Sequence, residues 1–154
     1  MSTYYDLYFV CDLKPDVPNS VIQAIEFALG VEHALTDCPK GFDDSHWKGI
    51  LDATHEGVMI FPGDSMASLR SAYRGIFPST DDGGKVYRQT LSFRTETIDD
   101  GLDTYLHFLE WLALYIDTQG FIGYLHCEYD KSPMLIYIDS GRLDLVDVNK
   151  MKSS

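Results

Sequence analysis

Residues 5 to 13 alternate with a two-residue period. Tyr5, Leu7, Phe9, Cys11 and Leu13 fall on one side, with Asp6 and Asp12 on the other. Successive side chains of a strand point to opposite faces, so this segment reads as a strand with one apolar and one wet face. Such a strand has nothing to cover its apolar side by itself. It requires a sheet packed on one face and open on the other. Cys11, on the apolar side, reads as a small core residue rather than a nucleophile.

The covering elements are found in helical spacing. Between Pro18 and Leu29 the apolar residues Val21, Ile22, Ile25, Ala28 and Leu29 recur every three to four positions. Pro18 suits a first turn and Gly30 a left-handed stop. A second helix opens at Asp99 and Asp100, whose carboxylates favour the positive end of the dipole. Tyr105, Leu106, Leu109, Leu112, Ala113 and Ile116 gather on one side of it, widened by Phe108 and Tyr115. Asp103, Glu110 and Asp117 line the opposite side with His107 beside them, and Gly120 is the expected stop.

Further strands follow the same alternation rule. Residues 66–74 place Ala67, Leu69 and Tyr73 opposite Ser68, Arg70 and Arg74. The run "VYRQTLSFRTET" (86–97) places Tyr87, Leu91 and Phe93 opposite Arg88, Ser92 and Arg94, and "FPSTDDGGK" between them reads as the turn of a hairpin. "GVMIF" (57–61) reads as a short buried strand, and "FIGYLHCEY" and "PMLIYI" as a second hairpin before a last strand, "LDLVDV". Residues 31–56 show no sustained period. The expected fold is α+β, an antiparallel or mixed sheet with two main helices on one face. Its element order is ferredoxin-like, an arrangement that hosts many unrelated functions and identifies none. Residues 1–150 are expected to form a single domain, with 151–154 a frayed tail.

A chain of 154 residues buries roughly 70% of its unfolded surface, enough to need neither disulfide nor metal for a core. Cys11, Cys38 and Cys127 are an odd number without CxxC spacing, so neither a disulfide framework nor a zinc ribbon is indicated. The first residues lack a basic start, an apolar run and a cleavage site, and no apolar stretch approaches the roughly 18 residues of a membrane span. A cytoplasmic protein is expected. The net charge of -12 disfavours phosphate backbones and anionic lipid, so neither nucleic acid nor membrane is expected as a partner.

Candidate chemistry is sparse. His107 and Glu110 are i,i+3 neighbours on a wet helix face, which is surface ion-pair geometry. His55-Glu56 begins like HExxH, but position 59 is Met, so the paired imidazoles are absent. Asp43, Asp44, His46 and His55, with His33 and Asp52 nearby, are metal-compatible residues in no ligand-like spacing. His126 and Glu128 alternate out of one strand face, as cross-strand pairing would place them. No nucleophile elbow, phosphate loop or dinucleotide fingerprint occurs.

The remaining feature is a set of arginines. Four of the five, Arg70, Arg74, Arg88 and Arg94, have the same parity on two strands expected to pair. With an even register sum they share one face, and a planar guanidinium fork binds carboxylate or phosphate bidentately. Ion pairing within a chain of 24 carboxylates is the competing expectation. Two functions follow. The first is a non-enzymatic binding protein, of immunity or inhibitor type, that recognises another protein, one of basic character, and needs no cofactor. The alternative is a small-anion-binding protein or enzyme using the arginine-lined face.

Overall fold

The computed structural model describes residues 2–52, 60–76 and 84–151. Strand β1 (Tyr4–Asp12) leads to helix α1 (Asn19–Ala28), then to β2 (Met66–Ile76) and β3 (Lys85–Ile98). Helix α2 (Asp99–Leu112) follows, extended by a 3-10 turn over Ala113–Tyr115. Strands β4 (Gly120–Cys127), β5 (Met134–Asp139) and β6 (Arg142–Asp147) and a last turn of helix, α3 (Val148–Met151), complete the order. The six strands form one antiparallel sheet in the order β2-β3-β1-β4-β5-β6. The first four strands and two helices have the β-α-β-β-α-β arrangement of ferredoxin-like folds. The hairpin β5–β6 widens the sheet beyond β4.

The alternation read in β1 sets the core. Leu7, Phe9, Cys11 and Leu13 are almost fully buried, in one cluster with Leu91 and Phe93 of β3, Ile122 and Leu125 of β4, and Ile136 and Ile138 of β5. Against them lie Val21, Ala24, Ile25, Phe27 and Ala28 of α1 and Phe108, Leu109, Trp111 and Leu112 of α2, all in one buried cluster. Both helices thus cover the same face of the sheet. Pro18 stands just outside α1, and Gly30 follows it at φ +81°, as the stop signals implied.

Several expectations are corrected. The segment 57–61 is not a strand at Ile60 and Phe61, which lie in bends, and positions 57–59 are outside the described residues. The turn 77–83 is outside them as well. Gly120 does not stop α2; the helix ends at Leu112, and Gly120 opens β4 at φ +89°. The apolar arc of α2 reaches further around the helix than its spacing suggested, because Trp111 is buried. The reason lies in the unreadable stretch. Residues 31–52 are irregular, but they carry Phe42, Trp47 and Leu51 into the core. Phe42 and Trp47 meet Trp111 with ring centroids 5.0 and 5.9 Å away, and the Trp111 indole N–H donates to the Lys40 carbonyl at 3.1 Å. Among the described residues, no helix is long and apolar enough to cross a membrane.

Candidate functional site

Because both helices lie on one side, the other face of the sheet is available for contact. Its register places Met66, Arg94, Tyr8, Tyr124, Leu135 and Val146 in one row that crosses all six strands. The next row toward the start of β1 holds Glu96, Asp6 and His126. Tyr8 and Tyr124 stack with centroids 5.4 Å apart, and Phe121 meets Tyr137 edge-on at 6.1 Å.

Among the described residues, one segment crosses this face. Glu96 accepts the backbone N–H groups of Ile60 (2.9 Å) and Phe61 (3.2 Å). Two positions earlier on β3, Arg94 donates to the carbonyls of Pro62 and Asp64. The strap 60–64 is therefore held by opposite charges on consecutive rows of one strand, one taking its donors and the other its acceptors. Gly63, at φ +99°, passes so close to Arg94 that a Cβ there would collide with the guanidinium.

Beneath the strap Asp6 is buried, although the alternation of β1 places it on the wet face. The strap supplies that cover, and Arg94 makes the burial tolerable. Its Nε and Nη2 donate to the two Asp6 oxygens at 3.0 and 3.1 Å. The Tyr124 hydroxyl donates to Asp6 Oδ2 at 3.0 Å. Burial, and then the negative charge of Asp6, push the Tyr124 hydroxyl pKa up, so it stays a donor.

Between strap and sheet lies a cleft of about 560 Å³ lined by Asp6, Tyr8, Phe61, Pro62, Arg94, Tyr124, His126 and Pro133. Its walls are mostly aromatic and proline surface around a few convergent polar groups, the composition and size typical of ligand sites. Phe61 lies against His126 with centroids 5.6 Å apart. His126 Nε2 donates to the Asp130 carbonyl at 2.8 Å, which fixes the ring against the wall of the cleft. The ionic groups of the cleft are otherwise occupied. Asp6 accepts three hydrogen bonds, and four of the five N–H groups that an arginine carries are engaged. This suits a rigid recognition surface better than a general base.

The arginines share the expected face, since the β2–β3 register sum is even up to Tyr73 and Tyr87. They are not gathered. Arg88 and Arg94 stand six residues, or about 20 Å, apart along β3. Arg74 forks onto Asp12 with two bonds of 2.7 Å, and its hydrogen bond lowers the Asp12 pKa. Arg88 lies 3.6 Å from Asp117, and Arg94 holds Asp6. Arg70 is exposed and has no ion-pair partner among the described residues. Three of the four are thus matched to carboxylates, and only Arg94 lines the cleft.

The other candidates separate in a similar way. His107 and Glu110 are both exposed. Asp43 holds His46 at 2.8 Å, a surface pair, while His55 is outside the described residues. No three His, Cys, Asp or Glu residues among those described could hold a metal ion. His126 faces the cleft, whereas Glu128 lies beyond β4 and accepts the Tyr4 N–H at 3.0 Å. Cys11 is buried, which pushes its thiol pKa up to about 12 and leaves it inert. Comparison with protein-family models, curated proteins and solved structures finds no match.

Proposed function

We propose that this chain is a binding protein rather than a catalyst, and that it recognises a basic protein on the open face of its sheet. The observation that carries this reading is the single-sided covering of a six-stranded sheet. The uncovered side presents the half-buried Tyr8, Tyr124, Leu135 and Tyr137 and the exposed Phe121, around a cleft whose ionic groups are already satisfied. Aromatic side chains supply most hot spots in protein interfaces. The charge of -12 draws a basic partner and repels an acidic one, as in inhibitor or immunity proteins that neutralise a basic target. Three free thiols suit a reducing compartment such as the cytoplasm.

The test is recovery of a partner on the immobilised protein from its source cells, followed by binding kinetics with Phe121→Ser and Tyr137→Ser. Affinity should fall about tenfold or more in the variants, the cost of a hot-spot truncation. The association rate should fall steeply as salt rises. Unchanged affinity in both variants, or an association rate indifferent to salt, would defeat the proposal.

A further inference from the structure

The cleft under the strap is more selective than the face around it. Its aromatic walls accept a flat apolar or cationic group, and the surrounding charge decides between these. Asp6 lies in the cleft, and Glu96 binds the N–H of its wall residue Phe61. Asp64 and Asp130 are exposed and touch the lining residues Arg94 and His126 through their carbonyls. Among the lining residues the one guanidinium, Arg94, is already neutralised by Asp6 in a two-pronged pair.

A guanidinium is planar, weakly hydrated and stacks on aromatic faces, whereas an ammonium is compact and strongly hydrated. A cleft of about 560 Å³ walled by Tyr8, Tyr124 and Phe61 offers stacking surface for the plane. The chain's net charge of -12 supplies the field. We propose that the cleft binds an arginine side chain of the basic partner, its guanidinium stacked on the tyrosine walls and drawn in by the acidic field of the chain. This rests on the reading of the open face as the recognition surface and names the residue type that the face selects.

The test uses the whole chain, with its tyrosine rings isotopically labelled, and N-acetyl-arginine amide followed by NMR. The comparison probes are the citrulline, lysine and phenylalanine amides and acetate. The arginine probe should shift the Tyr8 and Tyr124 ring signals with millimolar affinity, a range suited to one isolated side chain. Citrulline amide, which keeps the shape and loses the charge, should bind about tenfold more weakly. Asp6→Asn endangers the fold, so the variants are Tyr8→Leu, which removes a wall, and Asp130→Asn on the exposed rim. Both should weaken the arginine probe several-fold while leaving the fold intact by circular dichroism.

Equal binding of arginine and citrulline overturns the proposal, as does a preference for lysine, for the neutral aromatic or for acetate, or an absence of ring shifts. The two readings fail separately. If the partner protein is held and loses affinity in Phe121→Ser while the arginine probe leaves the rings unmoved, only the arginine inference falls. If the probe binds but no partner depends on Phe121 and Tyr137, only the docking reading falls.

Discussion

Replacing Gly123 by alanine should damage the sheet out of proportion to one methyl group. Gly123 faces Phe9 across the β1–β4 ladder, beside the bulge that shifts the β4–β5 register. A Cβ at this position would lie 2.7 Å from Phe9 Cα and 2.8 Å from the Tyr8 carbonyl carbon, and closer still to the Tyr8 oxygen. Ordinary carbon contacts need about 3.5 Å, so β4 would have to retreat by about 1 Å from the central strand. The neighbouring ladder bonds would stretch beyond useful geometry, each worth about 1 kcal/mol net. Overpacking adds about 1–3 kcal/mol, and the entropy gain of leaving glycine returns less than about 1 kcal/mol. The net loss is about 3 kcal/mol, equivalent to a fall in Tm of about 6–12 °C for a domain of this size. Calorimetry and urea unfolding would measure it. Gly120→Ala is the control: its Cβ meets nothing within 4 Å, so only the strain of φ +89° is felt, about 1–2 kcal/mol. A Tm for Gly123→Ala within about 2 °C of the parent, or a smaller loss than in Gly120→Ala, would refute the close-approach argument.

Arg94→Met should cost about 3–5 kcal/mol in chemical denaturation, because it strands the buried Asp6 carboxylate. The double variant Asp6→Asn/Arg94→Met should recover part of that loss. The pH dependence follows from Asp12, whose pKa is lowered chiefly by the hydrogen bond from Arg74. Its stabilisation is present above the unfolded carboxyl value of about 3.9 and is lost as pH falls through the lower folded value. Urea midpoints from neutral pH to about 3 should therefore decline less in Arg74→Gln than in the parent. Under native conditions iodoacetamide should modify the exposed Cys38 well before the buried Cys11, as peptide mapping would show.

The sheet's strands were legible where apolar and polar positions alternate, because each pairs a buried face with an exposed one. That pattern gave β1, the β2–β3 hairpin and the strands after Gly120, while the even β2–β3 register came from the structure. It misplaced Asp6, since its cover comes from residues 60–64, brought over the sheet by charges on β3. The Asp6–Arg94 and Asp12–Arg74 pairs span 88 and 62 residues, and periodicity carries no information about such partners. Parity gives the face alone: Asp6 and Asp12 lie on the side of β1 that Arg94 shares on β3, yet Asp12 takes its partner, Arg74, from β2. The segment 31–52 was opaque for another reason. It packs through isolated anchors, Phe42 and Trp47, onto Trp111, with no period of its own. Gly123 carries a readable signal of its own, because a glycine inside a strand often marks a bulge or a close backbone approach. Phe61 and the cleft it walls depend on the strap, and no local motif announces them.

The position of β1 also bears on how the chain is made. It leaves the ribosome before either of its partners, residues 85–98 and 120–127, although it is a central strand. At about 5–20 residues per second, its second edge stays unpaired for roughly 6 to 20 s of synthesis. One edge waits for residues 85–98 and the other for residues 120–127. Nascent chains arrested before Gly120 should therefore expose an apolar strand to chaperones, and the middle of the sheet should close only after residues 120–127 emerge.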